Sequence, residues 1–373
     1  MRIGIDGSNL RSEGTRAYMV HLLRNADPRQ HGIEGVTLWA GAQLLDRVEP
    51  RPWLERVHVP ALDRSLRHRT AWQLFTRRHA ASSCDVLFAP GATRPGSFRP
   101  YVALCVNMLP FDPAEAARYP LPAQMHYRVL RAQQAHAFRV SDVVIFLNEF
   151  AQQQIGAPRS VIIPIGVDDA FRCAPRDPRP LSDCSPEDPF RFLYVSDVRE
   201  YKHPWNAARA VAQLRQEGMP VTLDLIGANI DREAVRRLEE TLASIDPKVV
   251  RMHGFVPNAA LPEIYRAADA YVFPSTCENQ PLALLEPMAS ALPIASSRTR
   301  PMPDILGDAG CYFDAENVAS IADVLRELAN DVALRAKLAR DAYARALAYS
   351  WEECADRTFA LLAEVGRASP RPT

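Results

Sequence analysis

The sequence predicts an α/β protein made of two Rossmann-like, doubly wound domains, and three observations carry that expectation. Short β-rich apolar runs alternate with amphipathic helical stretches along almost the whole chain. The alternation stops over 168–190, a stretch rich in Pro, Asp and Ser without periodicity, and then restarts. The 373 residues suffice for two domains, each burying its own core.

Taken in order, the first half reads as strands near 2–6, 35–39, 85–89, 101–106, 142–147 and 160–164. Helices are expected near 15–25, 65–80, 123–138 and 148–155. The second half repeats the scheme, with strands near 191–196, 221–227, 249–254, 270–274, 293–296 and 311–313. Its helices fall near 204–217, 231–244, 260–268, 282–291, 317–329, 332–348 and 351–366. The domains are therefore expected at 1–168 and 191–351, joined by a linker over 169–190. Ligands of doubly wound sheets bind beyond the carboxyl ends of the strands, so a cleft between two such sheets is the expected site.

Composition narrows the function classes. With 47% hydrophobic and 24% charged residues the chain is globular, not disordered. The formal net charge is zero, so no nucleic-acid partner is indicated. That zero hides an asymmetry: residues 1–167 hold 20 Arg and no Lys against 13 acidic residues, leaving the remainder acidic. A basic half suits peripheral contact with a membrane or an anionic acceptor, and equally suits ordinary charge scatter. The seven cysteines are scattered, without metal-ligand or disulfide spacing, and free thiols fit the cytoplasm. Met1–Asp6 reads as a first strand instead of a signal peptide, and no apolar run has the length of a membrane span. The basic stretch from Arg64 to His79, around Trp72, Leu74 and Phe75, suits either an anionic lipid surface or an ordinary surface helix.

The most informative segment is Tyr271 to Ser297. An apolar strand ends at Pro274-Ser275, a polar loop carries Glu278, and a helix opens around Pro281 with Glu286 on its second turn. Proline suits a first helical turn because its missing N–H would be unsatisfied there. The free amides around Gln280, Leu282 and Ala283, with the positive end of the helix dipole, make an anion site suited to a diphosphate. A carboxylate accepts well from vicinal hydroxyls such as those of a ribose or hexose. On pattern alone, Glu286 also suits a solvated helix position and Glu278 a first-turn charge.

The second segment, Phe192 to Pro204, runs from a strand through a loop bearing Arg199 and Lys202 into a helix. A cation there can neutralise a leaving diphosphate, a task that otherwise falls to a metal ion. Lysine is scarce: Lys202, Lys248 and Lys337 are the three in the chain. Gly14, in the turn after the first strand, would let backbone approach a ligand closely. Asn107, in Leu104 to Phe111, can donate to and accept from a sugar hydroxyl but cannot serve as a general base.

Together these segments resemble retaining glycosyltransferases of family four. Pro274-Ser275, Glu278, Leu282, Leu285-Glu286, Met288-Ala289 and Pro293 stand in register with the family's Pro-Ser…Glu…Leu-Glu-Ala-Met-Ala…Pro signature. Asn279-Gln280-Pro281 replaces a Gly-Phe-Gly, and Ala291 replaces a Gly. The resemblance implies that Glu278 contacts the transferred hexose and Glu286 the ribose, and that Lys202 grips the diphosphate. The family's loop arginine falls at Asp197, so Arg199 is its candidate substitute. Gly14 retains one glycine of the family's Gly-Gly loop; Val106 stands where a His belongs and Asn107 where an Asp belongs. Gly227 and Phe255 fall at strand ends that border the base pocket.

The resemblance is firmest over 191–314 and implies the GT-B fold, with 352–373 crossing back to the first domain. It further implies a GDP- or UDP-sugar donor, no metal or other cofactor, and a glycan or polyprenyl-linked acceptor in bacterial polysaccharide or lipopolysaccharide assembly at the inner face of the membrane. The alternatives are a GT-B epimerase or phosphorylase, or a non-catalytic sugar-nucleotide or glycan-binding protein.

Overall fold

The computed structural model describes residues 1–76, 82–92 and 98–368. The chain divides into two compact units, one made of Met1–Ala116, Pro120–Gly166 and Ser350–Thr373, the other of Ala117–Tyr119 and Val167–Tyr349.

The first unit is built on seven strands: β1 (Arg2–Asp6), β2 (Gly35–Ala40), β3 (Leu54–His58), β4 (Val86–Pro90), β5 (Tyr101–Leu104), β6 (Val143–Phe146) and β7 (Ser160–Ile162). They pair in parallel in the order β3-β2-β1-β4-β5-β6-β7. The central strands are buried on both faces, which is why β4 and β5 read as unbroken apolar runs. Strand β3 was not expected from sequence. It lies at the sheet edge with Glu55 and Arg56 exposed, so its LERVH pattern lacks an apolar run.

Helices α1 (Glu13–Arg24), α2 (Ala42–Leu45), α3 (Leu66–Ala71), α4 (Pro113–Ala116), α5 (Leu121–Val140) and α6 (Glu149–Ile155) follow in this unit. Of the helix expected over 65–80, the described residues show α3, continued by a π turn over Trp72–Thr76. Arg77, Arg78 and His79 lie outside the described residues.

The second unit repeats the scheme with six parallel strands: β8 (Phe190–Val195), β9 (Val221–Ile226), β10 (Val250–Gly254), β11 (Ala270–Phe273), β12 (Ile294–Ser297) and β13 (Gly310–Phe313). Their order is β10-β9-β8-β11-β12-β13. Helices α7 (Pro204–Gln216), α8 (Arg232–Leu242), α9 (Leu261–Ala267), α10 (Leu282–Ala289), α11 (Met302–Leu306), α12 (Val318–Asn330) and α13 (Val332–Ala346) accompany them. Phe190, Phe192, Tyr194, Trp205, Leu223, Phe313 and Leu325 form one buried cluster. Each such side chain contributes on the order of 1.5–3 kcal/mol of burial.

The last helix, α14 (Trp351–Ala368), belongs to the first unit. Trp351 stacks on His21 with ring centroids 5.0 Å apart, and Phe359 meets Trp53 edge-on at 6.3 Å. Gly166 lies so close that a Cβ there would stand 2.2 Å from the Trp351 amide nitrogen, so only glycine fits.

The segment expected as a linker is fastened to the second unit. Phe171 is buried against Tyr265 at 5.6 Å. Arg179 pairs with Asp188 at 2.8 Å and Asp269 at 3.1 Å. Arg335, fully buried over the Phe190 ring, donates to the carbonyls of Leu328 at 2.8 Å and Arg179 at 2.6 Å. A guanidinium at the carboxyl end of α12 is favoured by the helix dipole. Among the described residues no helix is long and apolar enough to cross a membrane.

Candidate functional site

In both sheets the strand order reverses beside the first strand, and in the second that switch point lies between β8 and β11. At such a switch point the connections leaving neighbouring strands turn to opposite sides of the sheet, and ligands of doubly wound sheets bind at the carboxyl ends there. Lys202 comes from the loop after β8 and Glu278 from the loop after β11.

The first loop is pinned before it reaches Lys202. The Ser196 amide donates to Ile226 at 2.8 Å and the Val198 amide to Ala228 at 2.9 Å. Gly227 is required at this crossing: its φ is +156°, and a Cβ would come 1.8 Å from the Ser196 carbonyl oxygen. A single 3₁₀ turn over Glu200–Lys202 follows, and His203 then adopts the left-handed conformation at φ 45° before Pro204 opens α7. Histidine tolerates that region better than most side chains.

Lys202 is 7% exposed. Its ammonium pairs with the Glu278 carboxylate and sits 5.4 Å from the ring centres of both Tyr201 and Phe273. Glu278 also accepts a hydrogen bond from Ser275 Oγ at 2.6 Å. The Tyr201 carbonyl ties the loops together by accepting from the Thr276 amide at 2.9 Å and from Thr276 Oγ1 at 3.2 Å. His203 Nε2 meets the same hydroxyl at 3.0 Å. Because Thr276 donates onward to the carbonyl, Nε2 is the donor to it. The imidazole is neutral, with burial pushing its pKa down to about 4.

Glu286 lies on α10, 8% exposed, with Tyr265 OH donating to its carboxylate at 3.0 Å. Burial pushes its pKa up to about 7, against the lowering effect of that hydrogen bond. Pro281 is the N-cap of α10 instead of part of its first turn, so the helix proper opens at Leu282. Gln280 is buried, and Leu282 and Ala283 are half-buried. Arg199 is half-buried and stands 3.7 Å from Asp197, so the substitute cation is held by the acid that occupies the expected arginine position. Phe255, just past β10, is 61% exposed. It adjoins Val256, which with Ile226, His253 and Ile264 lines a cavity of about 210 Å³. A larger cavity, about 340 Å³, lies at the opposite ends of the strands, among Arg176, Arg179, Asp269 and Arg335, and is the seat of the linker segment.

The two remaining expected residues belong to the first unit. Gly14 is not in the turn after β1; it is the second residue of α1, whose N-cap Ser12 accepts from the Thr15 amide at 3.3 Å. A Cβ at Gly14 would meet nothing within 4 Å. Asn107 follows β5, and its Oδ1 accepts from the Leu109 amide at 3.1 Å, holding the turn over Leu109–Phe111. What it can offer a ligand is its Nδ2 amide.

Thus the structure gathers Lys202, Glu278 and the opening of α10 at one switch point, with Glu286 on the same helix. Sequence reasoning missed His203 and Thr276, which lock the two loops. The one signal available was a polar residue between Lys202 and Pro204, where the chain must turn sharply into a helix.

Residues 182–345 match the family model described as Glycosyl transferases group 1. The chain is 36% identical over 110 residues to the O-antigen chain mannosyltransferase B of Escherichia coli, covering 29% of each chain. The sucrose-phosphate synthase of Thermosynechococcus elongatus superposes with a TM-score of 0.76 at 17% identity, over 99% of this chain and 100% of that one. The HepE protein of Anabaena, solved with UDP and glucose, superposes with a TM-score of 0.72 at 17% identity, over 98% and 100%. The architecture is the GT-B fold. The chain spans 29% to 52% of the lengths of the first curated relatives it matches.

Proposed function

We propose that the chain is a glycosyltransferase that moves a hexosyl group, mannose-like or glucose- or N-acetylglucosamine-like, from a GDP- or UDP-sugar to a glycan or lipid-linked acceptor. The observation that carries this reading is the pairing of Lys202 with Glu278 across the switch point of the second sheet. Its neighbourhood would be surface-polysaccharide or lipopolysaccharide assembly at the inner face of the membrane.

In this reading the donor diphosphate takes over Lys202 and the amides opening α10, while Glu278 turns to the hexose and Glu286 to the ribose. The bond between the anomeric carbon and the diphosphate oxygen breaks, and its electron pair leaves with the nucleotide. The acceptor oxygen bonds to the same face of that carbon, and its proton passes to the departing phosphate oxygen. Configuration is retained and no enzyme base is needed, so Asn107 acts by positioning. Lys202 supplies the charge stabilisation that a metal would give elsewhere. Arg199, shared with Asp197, adds less.

A second reading, nucleotide-sugar binding without turnover, draws on Arg199 being held by Asp197 and on Pro281 having no amide to donate. A thermal-shift panel of GDP-mannose, UDP-glucose, UDP-N-acetylglucosamine, GDP and UDP, with and without EDTA, tests the proposal. Stabilisation by one base series, indifferent to EDTA and lost in Glu286→Ala, is the expected result. No shift with any nucleotide, or a shift that requires metal, contradicts it. A shift without sugar transfer to any acceptor favours the second reading.

A further inference from the structure

Helix α5 departs from the usual division of a surface helix into a buried apolar stripe and a polar face. Its buried residues, Gln134, Ala137 and Phe138, all fall in its last two turns. Its first half carries apolar residues outward: Leu121 is 64% exposed, Met125 59% and Val129 57%. At four-residue spacing they occupy consecutive turns of one face. At 100° per residue, Ala132 and His136 continue the same stripe, within about 80° of arc.

The charges along this helix are of one sign. Leu121–Val140 holds Arg128, Arg131 and Arg139, all exposed, and no acidic residue. Among the described residues none of the three forms an ion pair. At 100° per residue Arg128 and Arg139 fall along the same edge of the apolar stripe, and Arg131 lies further round on that side. The first half of the chain shares this bias, with 20 Arg and no Lys against 13 acidic residues over 1–167.

A second exposed apolar side chain lies at the same end of the sheet. Gln134 donates to the Gly91 carbonyl at 3.4 Å, and Asn9 donates to that carbonyl at 3.2 Å. Gln73 in turn reaches Ser8 at 2.8 Å. These bonds bring α5 and the π turn of Trp72–Thr76 to the carboxyl ends of β1 and β4. Leu74 on that turn is 52% exposed.

We propose that α5 is a docking face for an anionic bilayer surface, with Leu121, Met125 and Val129 entering the headgroup boundary and Arg128, Arg131 and Arg139 meeting acidic headgroups. A basic helix with an exposed apolar stripe and no acidic residue has the chemistry of an interfacial helix. A second copy of the chain is a poorer occupant, because self-pairing of this face would set arginine against arginine with no carboxylate between them. This surface gives the membrane contact its place, and Leu74, from the basic stretch that begins at Arg64, lies at the same end of the sheet. The proposal rests on the glycosyltransferase reading only for the acceptor that would lie there.

The test is co-sedimentation of the full chain with vesicles of phosphatidylcholine alone or mixed with phosphatidylglycerol, at low and high salt. Binding to the mixed vesicles is expected to exceed binding to phosphatidylcholine by about tenfold or more, and to weaken with salt. Two variants, Leu121→Ser/Met125→Ser/Val129→Ser and Arg128→Gln/Arg131→Gln, should each lose about tenfold at unchanged melting temperature, since the altered side chains are exposed. Both should keep the nucleotide-induced thermal shift, so loss of docking is separable from loss of the donor site. Equal sedimentation with both vesicle types, or wild-type binding by the triple variant, overturns the proposal. So does a concentration-dependent dimer that the triple variant abolishes, which would give the face to a second copy.

Discussion

The two sheets share a strand order but furnish their carboxyl ends differently. In the second unit the loops after β8 and β11 are bonded to each other through Tyr201, Thr276 and His203, and they bury a lysine against a glutamate. In the first unit, Gly14 opens a helix into empty space and Asn107 uses one bond to hold its own turn. In the proposed function this contrast corresponds to different tasks for the two units. Charge stabilisation of a leaving diphosphate needs groups fixed before the reaction, and the second unit is built that way. In the proposed function the acceptor falls to the first unit.

That contrast can be broken most sharply at the buried pair. Lys202→Met leaves Glu278 nearly buried without its cation, a situation that typically costs about 3–5 kcal/mol. Sugar transfer should fall by about 10² to 10³-fold. Lys202→Met/Glu278→Gln should recover much of the stability but not the activity, which thermal melts and initial rates can separate. Recovered activity in the double variant would assign the pair to folding alone.

Glu286 gives the next largest effect, and its sign can be worked out. Its folded pKa is about 7, against an ordinary 4.5. Between those values the folded chain keeps a proton that the unfolded chain releases, so stability falls as pH rises through that window and is level above it. The total is on the order of 3 kcal/mol. Glu286→Gln should remove this slope in melts taken from pH 4.5 to 8. Since a ribose diol donates to the ionised carboxylate, nucleotide affinity should rise from pH 6 to 8 in the wild type and stay flat in the variant. A flat profile in the wild type would remove Glu286 from the ribose site.

His203 probes how much the lock between the loops matters. His203→Ala loses the bond to Thr276 and keeps the strained φ, so a loss of about 1–2 kcal/mol is expected. His203→Gly relieves the strain but not the lost bond, and should be the milder of the two in stability. Both should lower kcat more than KM if the loop positions Lys202. The smallest effect belongs to the first unit: Gly14→Ala should stabilise α1 by about 0.5–1 kcal/mol with activity unchanged. A large loss of activity there would mean that backbone at Gly14 does approach the donor.

Much of this was legible in the sequence because it is local. The apolar runs of β8 and β11, the Pro-Ser end of the latter, and the two glutamates flanking the start of α10 are properties of short windows. What escaped is long-range or marginal. The pairing of Lys202 with Glu278 joins residues 76 apart, and the bond from His203 to Thr276 joins residues 73 apart. Edge strand β3 is too charged to show a strand pattern, and a π turn follows α3 at Trp72, a change of period that the sequence pattern does not show. The non-periodic stretch before β8 reads as a free tether because its anchors, Asp269 and Arg335, lie far along the chain. The exposed stripe of α5 was hidden because Leu121, Met125 and Val129 have the spacing of a core face.

The most direct measurement is calorimetric titration of GDP against GMP, and UDP against UMP, in the presence of EDTA, into wild type and Lys202→Met of verified fold. For the base that the protein accepts, the diphosphate should bind at least tenfold tighter than the monophosphate, and Lys202→Met should erase most of that difference. Equal affinity for mono- and diphosphate in the wild type, or a preference that survives the loss of Lys202, would contradict a diphosphate seat at the switch point of the second sheet.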